Sequence, residues 1–348
     1  PAVPSHLLEW NDRVRHLPWA GAAARIFDST SESTVPSGDL FTFLKLSAPS
    51  SLPVHVHACF DLVSARQLHD PSPWNDALVK GPIASAYVEL LVSLAGDVQQ
   101  QYSSVKTHTA RGVLLEKLYN CLPSGKEHSK LWQLLWPAML SLLLQRSAKI
   151  IAVPKGKKLE FVSIQDAWFL PWGATGLTGV CRWLRERGVR VASTKVPGCL
   201  RALPKEMESK RVTLQTLDAA SLLALIGKLS LRPPTVQLCL DTLKYVFNSA
   251  DFKSKALAGL ALLPLASDEI VVFGKQRVIV SSNNNLTKVL PKSTVCHPEA
   301  VELLQNCDDS LQAVPLSSHI LAAVMPRLLP AQWENLPRVS VELDSKNS

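Results

Sequence analysis

The sequence predicts a mixed α+β fold, small β-sheets with packed helices in an elongated two-lobed arrangement, and three observations carry that expectation. In VHVHACFDL, Val54, Val56, Ala58, Phe60 and Leu62 alternate with His55, His57, Cys59 and Asp61, the period of two that a half-buried strand requires. Further on, Ile83, Tyr87, Leu90, Leu91, Leu94 and Val98 recur at the spacing that puts them on one stripe of a helix. Strand-like and helix-like segments then interleave without a regular βαβ period. At 348 residues the chain exceeds a usual single core, and two domains are expected, at 1–125 and 126–348.

Taken in order, residues 1–27, with LLEWNDRV and LPWAGAAARI, read as a helical lead-in. The stretch DSTSESTVPSG (28–38) is polar and Ser/Thr-rich, a loop composition. LFTFLKL and VHVHACFDL follow as two strands around a proline-bearing connection, and Gly81-Pro82 opens the first amphipathic helix. GVLLEKLYNCL is a second helix and the apolar run at 131–145 a third. That run holds a proline and two glutamines and is shorter than a bilayer requires, so it reads as buried and not as a span. KIIAVP is a short buried strand, and EFVSIQDAWFLPW is a strand or hairpin-like connector. GLTGVCRWLRERG is a helix closed by Gly188, and VRVAS is a strand after it. LDAASLLALIGKL is one later helix. PPTVQLCLDTLKYVF is another, with Val236, Leu240, Leu243 and Phe247 on one face. LALLPLASDEIVVFGKQRVIVSS reads as strand, loop, then a hairpin turning at GKQR, and the asparagines at 283–285 end it as a turn. HPEAVELLQNC and SSHILAAVMPRLLPAQW are terminal helices.

Composition excludes several classes. With 47% hydrophobic and 19% charged residues the chain is neither disordered nor fibrous. Seven cysteines form no CxxC pair and sit mostly among apolar residues, which fits reduced cytoplasmic thiols and not a disulfide framework. The net charge of +8 is dispersed. Its densest groups, KGKK at 155–158 and RWLRERGVR at 182–190, lack the aromatic interleaving of a nucleic-acid platform. The chain begins at Pro1 without an initiator methionine, a basic leader or a cleavage site, so it is expected to be a piece of a longer polypeptide.

No catalytic signature is present: there is no G-x-S-x-G elbow, no H-E-x-x-H and no paired-carboxylate motif. Gly173, Gly176 and Gly179 in WGATGLTGV fit neither a P-loop nor a dinucleotide fingerprint, and read as a turn into a helix. His55, His57, Cys59 and Asp61 share a strand face, but alternate residues of one strand stand about 6 to 7 Å apart, too far for one tetrahedral metal centre. No metal site is expected.

The stretch LFTFLKLSAPSSLPVHVHACFDL, followed by VSARQLHD and WNDALVKGPIASAYVELL, resembles the sacsin repeat. There, an Hsp90-like ATPase module is followed by a phrase F-x-F-L-x-L, L-P-V-H, F-x-L, R, and then W-N, A-Y, L-L. LRERGVRVASTKVPGCL, LALLPLASDEIVVFG and RLLPAQW resemble later phrases of the family in the same order, and only one copy is present.

The resemblance implies a non-catalytic middle and connector region of a molecular chaperone, coupling an upstream ATPase to protein clients or partner modules. The Bergerat-type ATP pocket would lie before Leu40. Its D-x-G-x-G loop and G-x-x-G-x-G lid do not occur here, so no cofactor is expected in this segment. It further implies that Arg66 reaches a γ-phosphate held by that neighbouring module; structurally, Arg66 would otherwise cap a strand or pair with Asp70. The alternative is a purely structural spacer unit for protein–protein interaction.

Overall fold

The computed structural model describes residues 18–24, 38–47, 50–63, 66–69, 71–123, 129–171, 174, 176–200, 214–250, 252–283, 290–305, 307 and 309–328. The fold is mixed α+β, with small sheets and several helices, and the chain divides into two compact units, Pro1–Leu217 and Asp218–Ser348. The expected boundary at 125/126 falls inside the first unit, and buried bonds run across that position. The Tyr119 hydroxyl donates to the Ile150 carbonyl at 3.1 Å and accepts from the Ala152 amide at 2.9 Å.

The first unit opens on a four-stranded sheet of β1 (Ala20–Ala23), β2 (Leu40–Thr42), β3 (Leu44–Lys45) and β4 (His55–Ala58), in the order β1-β4-β2-β3. β1 runs antiparallel to β4, β2 parallel to β4, and β3 antiparallel to β2. The expected helical lead-in is corrected here: AGAA is a strand, and residues 1–17 lie outside the described residues. Alanine favours helix, but that preference is weak against tertiary pairing. Gly21 stands opposite His57, and the Trp19 ring lies 3.6 Å from where a Gly21 Cβ would be. The alternation of β4 holds, with Val56 and Ala58 buried and His55 and His57 half-buried on the opposite face.

A short hairpin of β5 (Leu62–Val63) and β6 (Gln67–Leu68) leads into one continuous helix over Pro73–Tyr102. It consists of α1 (Pro73–Leu78), a single π turn (Val79–Ile83) and α2 (Ala84–Tyr102). Gly81-Pro82 therefore lies inside the helix and does not open it. Proline has no N–H to donate and its ring crowds the carbonyl four residues back; the wider π turn relieves both. The true start carries stronger signals, Ser72 as N-cap and Pro73 at the first helical position. By length and composition this helix passes as a membrane span, yet half of its apolar window is buried in the unit's core.

Then come α3 (His108–Tyr119), α4 (Lys130–Gln133) and α5 (Leu135–Gln145). The apolar run at 131–145 thus breaks into two helices, and Pro137 occupies the first turn of α5, where a missing N–H costs little. β7 (Ile151–Lys155) and β8 (Lys158–Val162) form an antiparallel hairpin. Its turn is the KGKK group, with Gly156 at φ +61. β9 (Trp168–Phe169), α6 (Thr178–Glu186) and β10 (Gln215–Thr216) complete the unit. The predicted VRVAS strand is reduced to a single bridge from Val191 to Trp168. One continuous core joins Leu40, Val54, Val56, Trp74, Leu78, Ile83, Tyr87, Leu91, Met139, Leu140, Ile151 and Val153.

The second unit contains α7 (Ala219–Lys228), capped by Asp218, and α8 (Val236–Phe247), capped by Thr235. The buried side of α8 is Leu238, Cys239, Leu240, Thr242, Leu243 and Val246; of the predicted face, Leu240 and Leu243 are buried and Val236 and Phe247 half-buried. β11 (Leu263–Pro264) pairs antiparallel with β12 (Ile270–Val271). β13 (Val278–Val280) pairs parallel with β14 (Ala313–Pro315). The predicted hairpin at GKQR is therefore corrected. The reversal falls earlier, with Asp268 at φ +63, and Gly274 bonds through its N–H to the Leu311 carbonyl at 2.9 Å. All three residues of β13 are buried, the uniform pattern of a parallel pair. α9 (Val301–Leu304) and α10 (Ser318–Leu328) are short. Of the predicted asparagine turn, 284–285 lie outside the described residues.

Candidate functional site

The sequence-predicted site residues of the first unit lie on the β5–β6 hairpin and on the half-buried face of β4. Arg66 immediately precedes β6, with its side chain exposed and its backbone at φ +58, a left-handed conformation that few non-glycine residues adopt. Its carbonyl accepts from the Ser47 amide at 3.3 Å, which ties the hairpin to the chain just beyond β3. No ion pair of Arg66 is found among the described residues; Asp70, its expected structural partner, lies outside them.

β2 and β3 are joined by one residue, Phe43, also left-handed at φ +58 and 80% exposed. The Phe43 amide donates to His57 Nε2 at 3.1 Å, which holds the reversal in place. Leu44 is 57% exposed, Val63 44% and Trp19 53%. Trp19 and Phe43 both meet the His57 ring edge-on, at 5.0 and 6.0 Å between centroids, and Phe41 meets His55 likewise at 6.0 Å. Side chains this open belong to the surface of the lobe and not to its core.

The structure gives the two histidines architectural work. His55 Nδ1 accepts from the Asp39 amide at 2.9 Å, and His57 Nε2 from Phe43 as described. In each ring the nitrogen with a free lone pair is already engaged by a backbone N–H, so neither is presented to a metal. Among the described residues no group of three His, Cys, Asp or Glu side chains converges.

Asn75 is the residue that sequence reasoning missed. It is completely buried in the first turns of α1. Its Oδ1 accepts from the Asp61 amide at 2.8 Å, while Nδ2 donates to the carbonyls of Asp61 at 2.9 Å and His69 at 3.0 Å. The Asp61 carboxylate is bonded by His69 Nδ1 at 2.9 Å and the Ser72 hydroxyl at 2.8 Å. Next door, Trp74 Nε1 donates to the Cys59 carbonyl at 2.7 Å. The Ser-Pro start of the helix was a readable signal for the Ser72 cap; nothing in the sequence marked Asn75 as reaching back fourteen residues.

The basic groups of the sequence are dispersed by the fold. Lys155 pairs with Glu160 at 2.7 Å, and Arg190 lies 3.4 Å from the same carboxylate. The hydrogen bond from Lys155 holds the Glu160 carboxyl below the usual carboxylate range. Arg185 donates Nε to the Val191 carbonyl at 2.8 Å and Nη2 to Ala192 at 2.7 Å, a half-buried clamp on the segment after α6. Gly176, at φ +77, turns the chain toward α6, while Gly173 lies outside the described residues.

Compared with known proteins, the chain matches no family model, no curated protein and no solved structure.

Proposed function

We propose that this chain is the non-catalytic middle and connector region of a sacsin-like molecular chaperone, in an elongated, two-lobed, Hsp90-middle-like arrangement. It couples an upstream Hsp90-like ATPase module to protein clients or partner modules in the cytoplasm; it holds no nucleotide itself, and its one contribution to ATP chemistry is Arg66, presented to the phosphate that the other module holds. The observation that supports this reading best is the placement of Arg66: exposed, held in an uncommon backbone conformation, and bonded through its carbonyl to Ser47, two residues beyond β3. A guanidinium presents a planar fork of donors that matches phosphate oxygens and offsets the charge that develops on a transferring phosphoryl group. The open apolar side chains of the same lobe, Phe43 and Leu44 among them, supply surface for a docking module to bury.

The test uses the full-length polypeptide that contains this chain. Arg66→Ala is expected to lower its kcat for ATP about a thousandfold, the lower end of what a phosphate-contacting arginine contributes, with the KM for ATP little changed. Unaltered turnover, or no ATP turnover by the full-length protein, would sink the reading and leave the spacer alternative. That alternative also predicts that the chain fails to suppress aggregation of a thermally unfolding client protein.

A further inference from the structure

We propose that Asn75 is the positioning residue of the Arg66 hairpin: with Asp61 and Ser72 it clasps both stems of β5–β6 and so fixes where the arginine stands. The inference deepens the reading above and rests on it for its functional half. β5 and β6 pair at only two positions, Leu62↔Leu68 and Val63↔Gln67, and a two-stranded hairpin of that length is not stable by itself in water. What closes its base is side-chain bonding from the helix. Asp61 precedes β5 and His69 follows β6, and their own backbone bond, His69 N–H to the Asp61 carbonyl, is 3.1 Å. Asn75 then bonds the amide and carbonyl of Asp61 and the carbonyl of His69 with one side chain. The carboxylate of Asp61 ties His69 from one side and Ser72 from the other.

Asn75 is suited to this as few residues are. It carries an acceptor and two donors on a short planar group. It is also held in its own place, because its amide lies 3.4 Å from the Ser72 hydroxyl in the first turn of α1. Because it is completely buried, water cannot replace the bonds it makes. The hairpin is therefore rigid at its base through the helix, while Arg66 stays exposed at the far end.

Amide hydrogen exchange on this chain reads the positioning directly. In Asn75→Ala, amides of residues 61–69 are expected to exchange at least about tenfold faster, the signature of local opening, with those around Met139 and Leu140 in α5 unchanged. Wild-type rates in the hairpin would overturn the inference. Should Asn75→Ala fail to fold, Asn75→Asp keeps the size and the acceptor for the Asp61 amide but loses both donated bonds, and the same acceleration is expected of it. In the full-length polypeptide, Asn75→Asp is expected to lower kcat for ATP and leave KM unchanged. The double variant with Arg66→Ala should fall no lower than Arg66→Ala alone; additive losses would show that Asn75 acts elsewhere and would also overturn the inference. If Arg66→Ala has no effect on turnover, the functional reading fails, and hydrogen exchange alone decides the clasp.

Discussion

At the scale of single residues, Gly38 shows how closely this lobe is built. Its amide donates to the Leu52 carbonyl at 2.7 Å, and a Cβ placed on it would lie 1.8 Å from the Val54 carbonyl oxygen. That obstacle is backbone beside a fully buried side chain, so it does not swing aside. Gly38→Ala is expected to destabilise the first unit by about 3 kcal/mol or more, the range of severe overpacking, measured by denaturant unfolding. Wild-type stability would show that the approach of Gly38 to the β4 entry is looser than described. The cysteines give a second test. Burial pushes the Cys121 thiol from 9.0 up to about 11 and Cys296 up to about 12, with Cys181, Cys199 and Cys239 also raised. A thiol harder to ionise folded than unfolded supports stability below the unfolded value and loses that support as the pH climbs. Unfolding free energy is thus expected to fall between about pH 9 and 11, and native alkylation at pH 8 to spare Cys121 and Cys296.

At the scale of elements, the sequence was most legible where one face is buried and one is not. The alternation from Val54 to Phe60 and the stripe through Tyr87, Leu91 and Leu94 needed no tertiary knowledge, and both stand. It was least legible where pairing partners are distant or the pattern is uniform. AGAA reads as helix by propensity and becomes a strand only because β4 is there to pair with it. VIV at β13 finds β14 more than thirty residues on, so no local turn signal announces it. Gly81-Pro82 looks like a helix start because a π turn has no local signature of its own. At the candidate site, the position of Arg66 after a strand was readable, whereas the left-handed Phe43 and the reach of Asn75 were not. The KGKK group, conspicuous in the sequence for its charge, is the turn of the β7–β8 hairpin. Gly156 at φ +61 meets nothing within 4 Å of its missing Cβ, so Gly156→Ala isolates conformational cost. About 1 to 2 kcal/mol of lost stability is expected on thermal or denaturant unfolding; no loss would place that turn in another conformation.

At the scale of the whole molecule, the positive charge and the β lobe lead to different expectations. A net charge of +8 invites polyanion binding, but Lys155, Arg190 and Arg185 are engaged with Glu160 or with backbone carbonyls. Titration with single-stranded nucleic acid is expected to show only weak binding that disappears as salt rises, without preference for sequence. Tight, salt-resistant binding would favour a nucleic-acid partner over a protein one. The account as a whole depends on a different contact, between the Arg66 hairpin and a nucleotide phosphate held by another module. The most direct measurement is photolabelling of the full-length polypeptide with an ATP analogue carrying its reactive group on the γ-phosphate, followed by peptide mapping. The account predicts label on the peptide that includes Arg66, lost when the hairpin is released by Asn75→Asp. Label confined to other parts of the polypeptide, with none near residue 66, would contradict it.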